Sequence, residues 1–417
     1  MQLSLRQAIE TALSPDGNAA VQLAKESGVV AEAQGRQTRA ALLPTVNGSI
    51  REQRQLANVA ALGVQVQIGG VPVLLGNDAF STFDARVAAE QTIFDWNAVR
   101  LTQASHAAVR SSKADLKNTQ EATVSRVARS YFAALRADAL LEAAASDISL
   151  AEALAKLADD RLSAGKGIAI EATRARSQLA HARQRLLAAQ NESFRAKLQL
   201  CRDVGLEPDG RIVLTDQLGL SKADEPTVEA ALKTALQARP DLRAQEERGR
   251  QAELLHGAAR AASLPSVYGY ADYGPLGLTP EKAIETYTVG VGLKIPVFDG
   301  GRREARRAET LSLARQEQIR EKDLRAQIEL EVRESFEGLR VAAAQVEAAE
   351  QGVSLAEEEL AQARRRYEEG LSTSLDIVEG QNRLERARDE RIAALYAHNL
   401  ARIEVAHATG DIMQIIR

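Results

Sequence analysis

Two stretches of this chain place apolar residues every seven positions. In the second half these are Val332, Leu339, Val346, Val353, Leu360 and Tyr367, beside Ser335, Ala342, Ala349, Ala356 and Ala363. In the first half they are Val127, Ala134, Leu141, Ile148, Ala155 and Leu162, beside Ser130, Ala137, Ala144, Ala151 and Ala158. One seam position is mostly large and the other always small. A period of seven predicts a coiled coil, and a small seam lets helix backbones approach closely. The two sets lie 205 residues apart, as do Gly165 and Gly370, and Gly205 and Gly410. The chain therefore reads as a duplicated unit.

Asn97–Arg161 and Arg302–Arg366 contain no proline. A helix over 97–161 or 302–366 would be about 100 Å long at 1.5 Å per residue. Partner helices over 170–204 and 375–408 span roughly half of that, so a further helical stretch should stack end to end with each. The stretches Leu5–Leu42 and Thr227–Ser263 have the right size. They stop at Pro44 and Pro265, because proline disfavours helix in the residue before it.

After each proline the pattern changes to period two, which predicts strands with two unlike faces. Val46, Gly48 and Ile50 alternate with Asn47, Ser49 and Arg51; Phe83, Ala85, Val87 and Ala89 alternate with Asp84, Arg86 and Glu90. Tyr287, Val289, Val291, Leu293 and Ile295 alternate with Thr288, Gly290, Gly292 and Lys294, and another strand falls near Val267–Tyr273. The strand pairs, 44–94 and 265–297, end in matching turns, Ile93-Phe94-Asp95-Trp96 and Val297-Phe298-Asp299-Gly300-Gly301. The prolines are 221 apart and the turn phenylalanines 204 apart, so the first loop is 17 residues longer. That insertion, with Gly63, Gly69, Gly70, Pro72 and Gly76, belongs at an exposed loop tip. The expected organisation is a first repeat, 1–207, a linker, 208–226, carrying Ile212-Val213-Leu214, and a second repeat, 227–417.

Strands that span a membrane need about 9 to 11 residues, but four cannot close a barrel alone. Free edges in hydrocarbon leave backbone groups unpaired at several kcal/mol each, so association of chains must close it. Two chains would give eight strands, an interior that side chains fill; three would give twelve and a lumen. The alternative is a soluble coiled-coil scaffold with a small β cap, for which the helices are far too long.

Composition narrows the function further. A net charge of −4 with 4 % aromatic residues gives neither the basic patch nor the stacking platforms of a nucleic-acid binder. One cysteine, Cys201, excludes a disulfide framework and thiolate metal clusters and fits any compartment, including an oxidising one. No run of 18 apolar residues marks a transmembrane helix; Val59–Leu75 is interrupted by Gln65, Gln67, Gly69, Gly70 and Pro72. His106, His181, His256, His398 and His407 show no metal spacing, and Gly290-Val-Gly292 is a strand pattern without a helix at once behind it. No enzyme, metal site or cofactor is expected.

In order and register, these features resemble the TolC-like outer membrane efflux proteins. The residues that carry the resemblance are Leu43-Pro44 and Leu264-Pro265, the Phe298–Gly301 turn, Arg161-Leu-Ser-Ala-Gly165 and Arg366-Tyr-Glu-Glu-Gly370. It covers essentially the whole chain, although each motif is only a few residues. The resemblance implies a mainly α fold with a small β part. In it, duplicated long coiled-coil hairpins carry four strands per chain, which close in a homotrimer as a twelve-stranded membrane barrel on an α-helical tunnel. It also implies an exit duct of a tripartite efflux or type I secretion system in the outer membrane, with a large periplasmic portion. Its partners would be outer membrane lipid, a periplasmic adaptor and an inner-membrane transporter. The first repeat has Phe-Asp-Trp-Asn where the second has Phe-Asp-Gly-Gly. The chain opens with Met1-Gln-Leu-Ser-Leu-Arg and passes directly into an amphipathic helix, so either the protein is cytoplasmic or the sequence is a mature or truncated form; the resemblance implies that a Sec signal or a lipidated N-terminal cysteine has been removed.

Carried onto this sequence, the resemblance narrows the tunnel mouth at Tyr367, Glu171, Asp376 and Glu379, with Tyr367 and Glu171 in contact. Asp376 and Glu379 share a helical face, and threefold symmetry would make them carboxylate rings that favour cations. As acids at a helix start they are also natural partners of the helix dipole. Ser372 stands where the family has a gate arginine. Arg161, Leu162, Ser163, Gly165, Gly370, Leu371 and Ser372 form the helix-turn-helix tips, which in the family meet the adaptor. Arg302, Arg303, Arg306 and Arg307 begin a helix where the macrodipole disfavours cations, which calls for acidic neighbours or lipid phosphates at a membrane interface.

Overall fold

The computed structural model describes residues 1–56, 66–68, 71–73, 79–165, 167–208, 211–220, 227–369 and 371–413. Gly370 and most of the glycine-rich insertion lie outside the described residues, as does the end of the linker, 221–226. Along the chain run β1 (Gln2–Leu3), α1 (Leu5–Leu13), α2 (Ala19–Ala40), β2 (Thr45–Gln55), β3 (Val66–Ile68), β4 (Val71–Val73), β5 (Phe80–Phe94), α3 (Trp96–Ser163) and α4 (Ala169–Val204). Then come β6 (Val213–Leu214), α5 (Val228–Ala238), α6 (Pro240–Ala261), β7 (Ser266–Gly277), β8 (Ile284–Lys294), α7 (Arg302–Glu368) and α8 (Ser374–Ala408). Helix dominates, with a small sheet part. No helix among the described residues is long and apolar enough to cross a membrane.

The long helices extend the expected 97–161 and 302–366 by one to two residues at an end. In the first repeat no double glycine is needed before the helix. The Asp95 carboxylate accepts from the Asn97 and Ala98 amides, at 2.9 and 3.2 Å, and caps α3 directly. In the second repeat Gly300 and Gly301 take the left-handed conformation at φ 70° and 86° before α7 begins.

The stretches expected as single helices over Leu5–Leu42 and Thr227–Ser263 are each broken. Pro15-Asp16-Gly17 separates α1 from α2, and Pro240 holds Arg239 extended at ψ 125° between α5 and α6. The breaks are joints. Asn18 at the head of α2 donates to the Asp203 carbonyl near the end of α4, at 2.8 Å. A side chain at Gly205 would come within 2.8 Å of the Gly17 backbone. Arg239 likewise donates to the Ala408 carbonyl at the end of α8, at 3.4 Å. Each partner helix thus meets the next one end to end.

The chain divides into two compact units, one of residues 1–28, 112–244 and 320–417, the other of 29–111 and 245–319. In the first unit the seven-residue seam is the core: Val332, Leu339, Val346, Val353, Leu360 and Tyr367 are all buried, as are Ala137, Ala144, Ala151 and Ala158. Gly380 of α8 lies against Leu360 of α7, where an added Cβ would be 3.4 Å from the Leu360 backbone. β1 pairs in parallel with β6, so the Ile212-Val213-Leu214 run of the linker covers Leu3, Ile9 and Tyr131 of the main apolar cluster. The second unit holds an antiparallel sheet in the order β2-β5-β7-β8.

Candidate functional site

In the sheet, register sorts the side chains onto two faces. Ile50 pairs with Ala85 and Gly48 with Val87; Val87 pairs with Tyr273; and Tyr273, Ala271 and Gly269 pair with Tyr287, Val289 and Val291. This apolar face is open to solvent: Tyr287 is 78 % exposed, Val289 74 % and Val291 71 %. The opposite face carries Ser49, Arg51, Asp84, Arg86, Asp272 and Thr288. There Arg86 donates to Asp84 at 2.6 Å and to Asp272 at 3.0 Å, across two strands. Tyr268 and Tyr270 lie flat over Gly292 and Gly290, their register partners on β8. A Cβ at either glycine would be 2.4–2.5 Å from the ring. β2 and β8 form the two edges of the sheet.

The helix tips are built by two turns. Gly165 adopts φ 64° between α3 and α4, the left-handed conformation that ends a helix. Arg161, near the end of α3, reaches Tyr367, near the end of α7. Its guanidinium lies 4.3 Å from the ring centroid, and its Nη1 donates to the Tyr367 carbonyl at 3.2 Å. Glu171 and Tyr367 line one small cavity of about 20 Å³, together with Ala158, Gln178, Ser374 and Gln381. Tyr367 and Glu171, expected to meet at the gate, thus line one wall, and the cation over the Tyr367 ring is Arg161. Sequence placed Arg161 with the docking residues and gave no signal that its side chain turns inward.

Asp376 is the third residue of a capping box. Its carboxylate accepts from the Thr373 amide at 3.2 Å, while the Thr373 side chain serves the Asp376 amide. Glu379 is exposed, with Arg383 Nη1 at 3.9 Å, and Arg383 is held more closely by Glu359. Leu162, Ile168, Ile170, Leu371 and Leu375 are exposed around the turns, and Ser163 hydrogen-bonds back to the Asp160 carbonyl. Ser372 is half-buried.

At the start of α7 the four arginines find different partners. Arg303 is drawn to Asp299 at 2.8 Å and to the Pro296 carbonyl at 2.9 Å. Arg306 pairs with Glu309, and Arg307 with Glu304 and the Ser263 hydroxyl. Arg302 keeps an 85 % exposed side chain, 3.9 Å from Asp299. Acidic neighbours therefore offset the unfavourable dipole, and Arg302 is left turned to solvent beside Val297 and Phe298, themselves 87 % and 86 % exposed.

Sequence reasoning also passed over a charged cluster on α4 and α8. Arg185 lies within ion-pair distance of Asp147, Glu385 and Asp389. Gln178 and Asn382, and Arg185 and Asp389, are each 204 residues apart, one short of the repeat register, and that near-coincidence was the available signal.

Comparison with known proteins agrees with this architecture. The family described as outer membrane efflux protein matches residues 16–205 and 231–411. A pyoverdine export outer membrane protein, OpmQ of Pseudomonas aeruginosa, is 25 % identical over 405 residues, covering 94 % of this chain and 81 % of its own. A membrane protein from Pseudomonas aeruginosa has the same fold at a TM-score of 0.85 and 20 % identity, over 97 % of this chain and 92 % of its own. The Campylobacter jejuni CmeC outer membrane channel does so at 0.86 and 18 %, over 98 % and 86 %. A soluble scaffold with a β cap is thereby set aside. The chain belongs to the outer membrane efflux protein family, and is an efflux protein of the outer membrane, not an enzyme.

Proposed function

We propose that three copies of this chain assemble into an exit duct. Their four-stranded sheets would close as a twelve-stranded barrel, and their helices would form a tunnel in the periplasm. The observation that carries this reading is the sheet itself: one exposed apolar face, one charged face and two edge strands of membrane-spanning length, β2 and β8. In hydrocarbon such edges must be paired, and copies of the same chain offer complementary partners. Two chains would fill the interior with side chains; three leave a lumen for Arg51, Asp84, Arg86 and Asp272. The two repeats, 1–207 and 227–417, each supply one hairpin, and 208–226 links them.

Substrate would arrive from an inner-membrane transporter through a periplasmic adaptor, as in a tripartite efflux or type I secretion system. The exposed leucines and isoleucines around the tips suit docking of an adaptor at Arg161, Leu162, Ser163, Gly165, Gly370, Leu371 and Ser372. The mouth is narrowed by Tyr367, Glu171, Asp376 and Glu379, with Arg161 anchoring the tyrosine. Arg302, at the edge of an exposed apolar segment, suits lipid phosphate, with Arg303, Arg306 and Arg307 behind it. The relative named for pyoverdine export points to pyoverdine-like compounds as one cargo class.

The test is reconstitution of the purified protein in planar bilayers, with its stoichiometry measured by native mass spectrometry. Trimers that conduct in discrete steps are expected, and divalent or trivalent cations added at the mouth should block them. Asp376→Asn with Glu379→Gln should abolish the block, because like carboxylates close together attract cations. The Thr373 N-cap is untouched and the side-chain oxygen of asparagine at 376 can still accept from the Thr373 amide, so α8 should stay intact in that variant. A monomeric protein without conductance would overturn the duct; block that survives the double substitution would overturn the acidic mouth.

A further inference from the structure

Two tyrosines of β7 lie on the charged face of the sheet, close to its junction with the helices. Tyr268 and Tyr270 stand three and five residues beyond Pro265 and pair with Gly292 and Gly290 of β8. The phenol end of each ring comes down over its glycine, where an added Cβ would be 2.4–2.5 Å away. A side chain at either position would hold the ring off the sheet. Glycine weakens a strand interior and marks a place of close approach, and β8 carries two in alternation on this face.

Because the rings lie along the sheet, each turns one face to the backbone and the other away from it. Their centroids are 6.1 Å apart, with 34° between the planes, so they sit side by side and leave one another's outer faces open. Tyr270 is 40 % exposed. On the other side of β7, Glu90 of β5 is the register partner of Tyr270, as Thr92 is of Tyr268, and Glu90 is exposed. Lys294 stands diagonal to Tyr268, beside Ser266 and one pair nearer the helices. The row Glu90, Tyr270, Gly290 thus sets a carboxylate beside an open aromatic face.

An aromatic face accepts a second flat ring by offset stacking, whatever the chemistry of that ring, and its negative quadrupole attracts a cation. A carboxylate alongside adds to the same preference. Covering two glycines would ask only for apolar side chains of some size; the open ring faces and Glu90 point to a ligand.

We propose that Tyr268, Tyr270 and Glu90 form a stacking platform for planar aromatic cations, where such cargo pauses on its way through the barrel. This rests on the proposed reading of the charged face as the wall of a lumen. Around the axis of a trimer the platform would repeat as six rings (two from each of three chains) and three carboxylates.

The probe is ethidium, a planar aromatic cation, added to purified wild-type channels in planar bilayers, with tetraethylammonium as an aliphatic cation of equal charge. Ethidium should interrupt the current in discrete events that outlast those of tetraethylammonium. Tyr268→Leu with Tyr270→Leu should shorten the ethidium events about tenfold, the scale at which a stacked ring contributes. Leucine still covers the glycines, so the unblocked conductance should stay at the wild-type level. Tyr268→Phe with Tyr270→Phe keeps the aromatic faces and should block like wild type, while Glu90→Gln should shorten the events several-fold. If the double leucine variant does not assemble, Tyr270→Leu alone, which leaves Tyr268 over Gly292, should shorten them in smaller degree. Conducting channels in which leucine blocks for as long as tyrosine, or phenylalanine as briefly as leucine, overturn the platform and leave the duct standing. Events of wild-type length in Glu90→Gln overturn the part given to the carboxylate. A wild type that forms no conducting unit overturns duct and platform together.

Discussion

Burial and charge at single residues make the stability of the folded chain depend on pH. Glu121 on α3 has its pKa raised from 4.5 to about 7, chiefly by burial, with Asp241 and Asp411 adding to the rise and Arg239 and Lys117 opposing it. Arg239 is itself engaged by Asp241 at 2.6 Å and by Glu331, so it has little charge left over for Glu121. Because the folded value lies above the unfolded one, the folded state keeps an extra proton between about pH 4.5 and 7. Stability from this group is therefore lost as pH rises through that interval, and the deficit persists above it. Glu121→Gln should raise the melting temperature at pH 8 and leave it unchanged at pH 4, read by differential scanning fluorimetry on the same preparation. Nothing in the sequence marks Glu121 out, since a helix with many acids does not say which one faces other carboxylates. The same limit applied at the tips. Tyr367 was legible as a residue near a helix tip because it closes a heptad series, but its partner, Arg161, depends on how the ends of two helices in different repeats orient their side chains.

At the scale of elements the sequence was far more legible, because period alone carries the information. Seven-residue spacing located α3 and α7 to within two residues, and period-two alternation separated the two faces of β2, β5 and β8 before any pairing was known. What period could not supply was the break inside each N-terminal stretch. Proline and glycine mark that break, but only packing on the ends of α4 and α8 makes it a joint. The face assignment leads to a direct prediction for β8. Val291 is 71 % exposed on the apolar face, while Thr288 lies on the face that carries Asp272, its register partner. A lysine on the lipid face of a membrane strand costs about 2–4 kcal/mol near the midplane, whereas a lumen position carries no such cost. Val291→Lys should therefore sharply lower the folded protein recovered in outer membrane fractions, and Thr288→Lys should not. Equal loss in both variants would mean that the faces are not divided between lipid and lumen. The rings of Tyr268 and Tyr270 suggest a related effect. They fill the space above Gly290 and Gly292, so Gly290→Leu should push Tyr270 off the wall and weaken the β7–β8 pairing, detectable as earlier unfolding in denaturant.

For the whole molecule, the sequence showed that four strands cannot close on themselves but left the number of chains open, since closure is a property of the assembly. Counting chains in a covalent ring settles it. β2 and β8 are separated within one chain by β5 and β7. Three intervals of about 4.8 Å put them roughly 14 Å apart, beyond the ~7 Å at which two cysteines can bond. A disulfide between a cysteine at Ser49 on β2 and one at Thr286, Thr288 or Lys294 on β8 must then join two chains. All four positions lie on the charged face of the sheet, and one of the three pairings should match the register of the seam. In a closed ring each chain uses both cysteines on its neighbours, so the largest covalent species on a denaturing gel equals the number of chains in the ring. Three chains give a ladder that ends at trimer, and two give one that ends at dimer. An open association would run on to higher species. We expect oxidised protein, extracted from membranes and denatured, to stop at trimer for one of the three pairs and to collapse to monomer on reduction. A ladder ending at dimer would replace the twelve-stranded barrel with an eight-stranded one whose interior is filled, and the duct would have no lumen through which to carry its cargo.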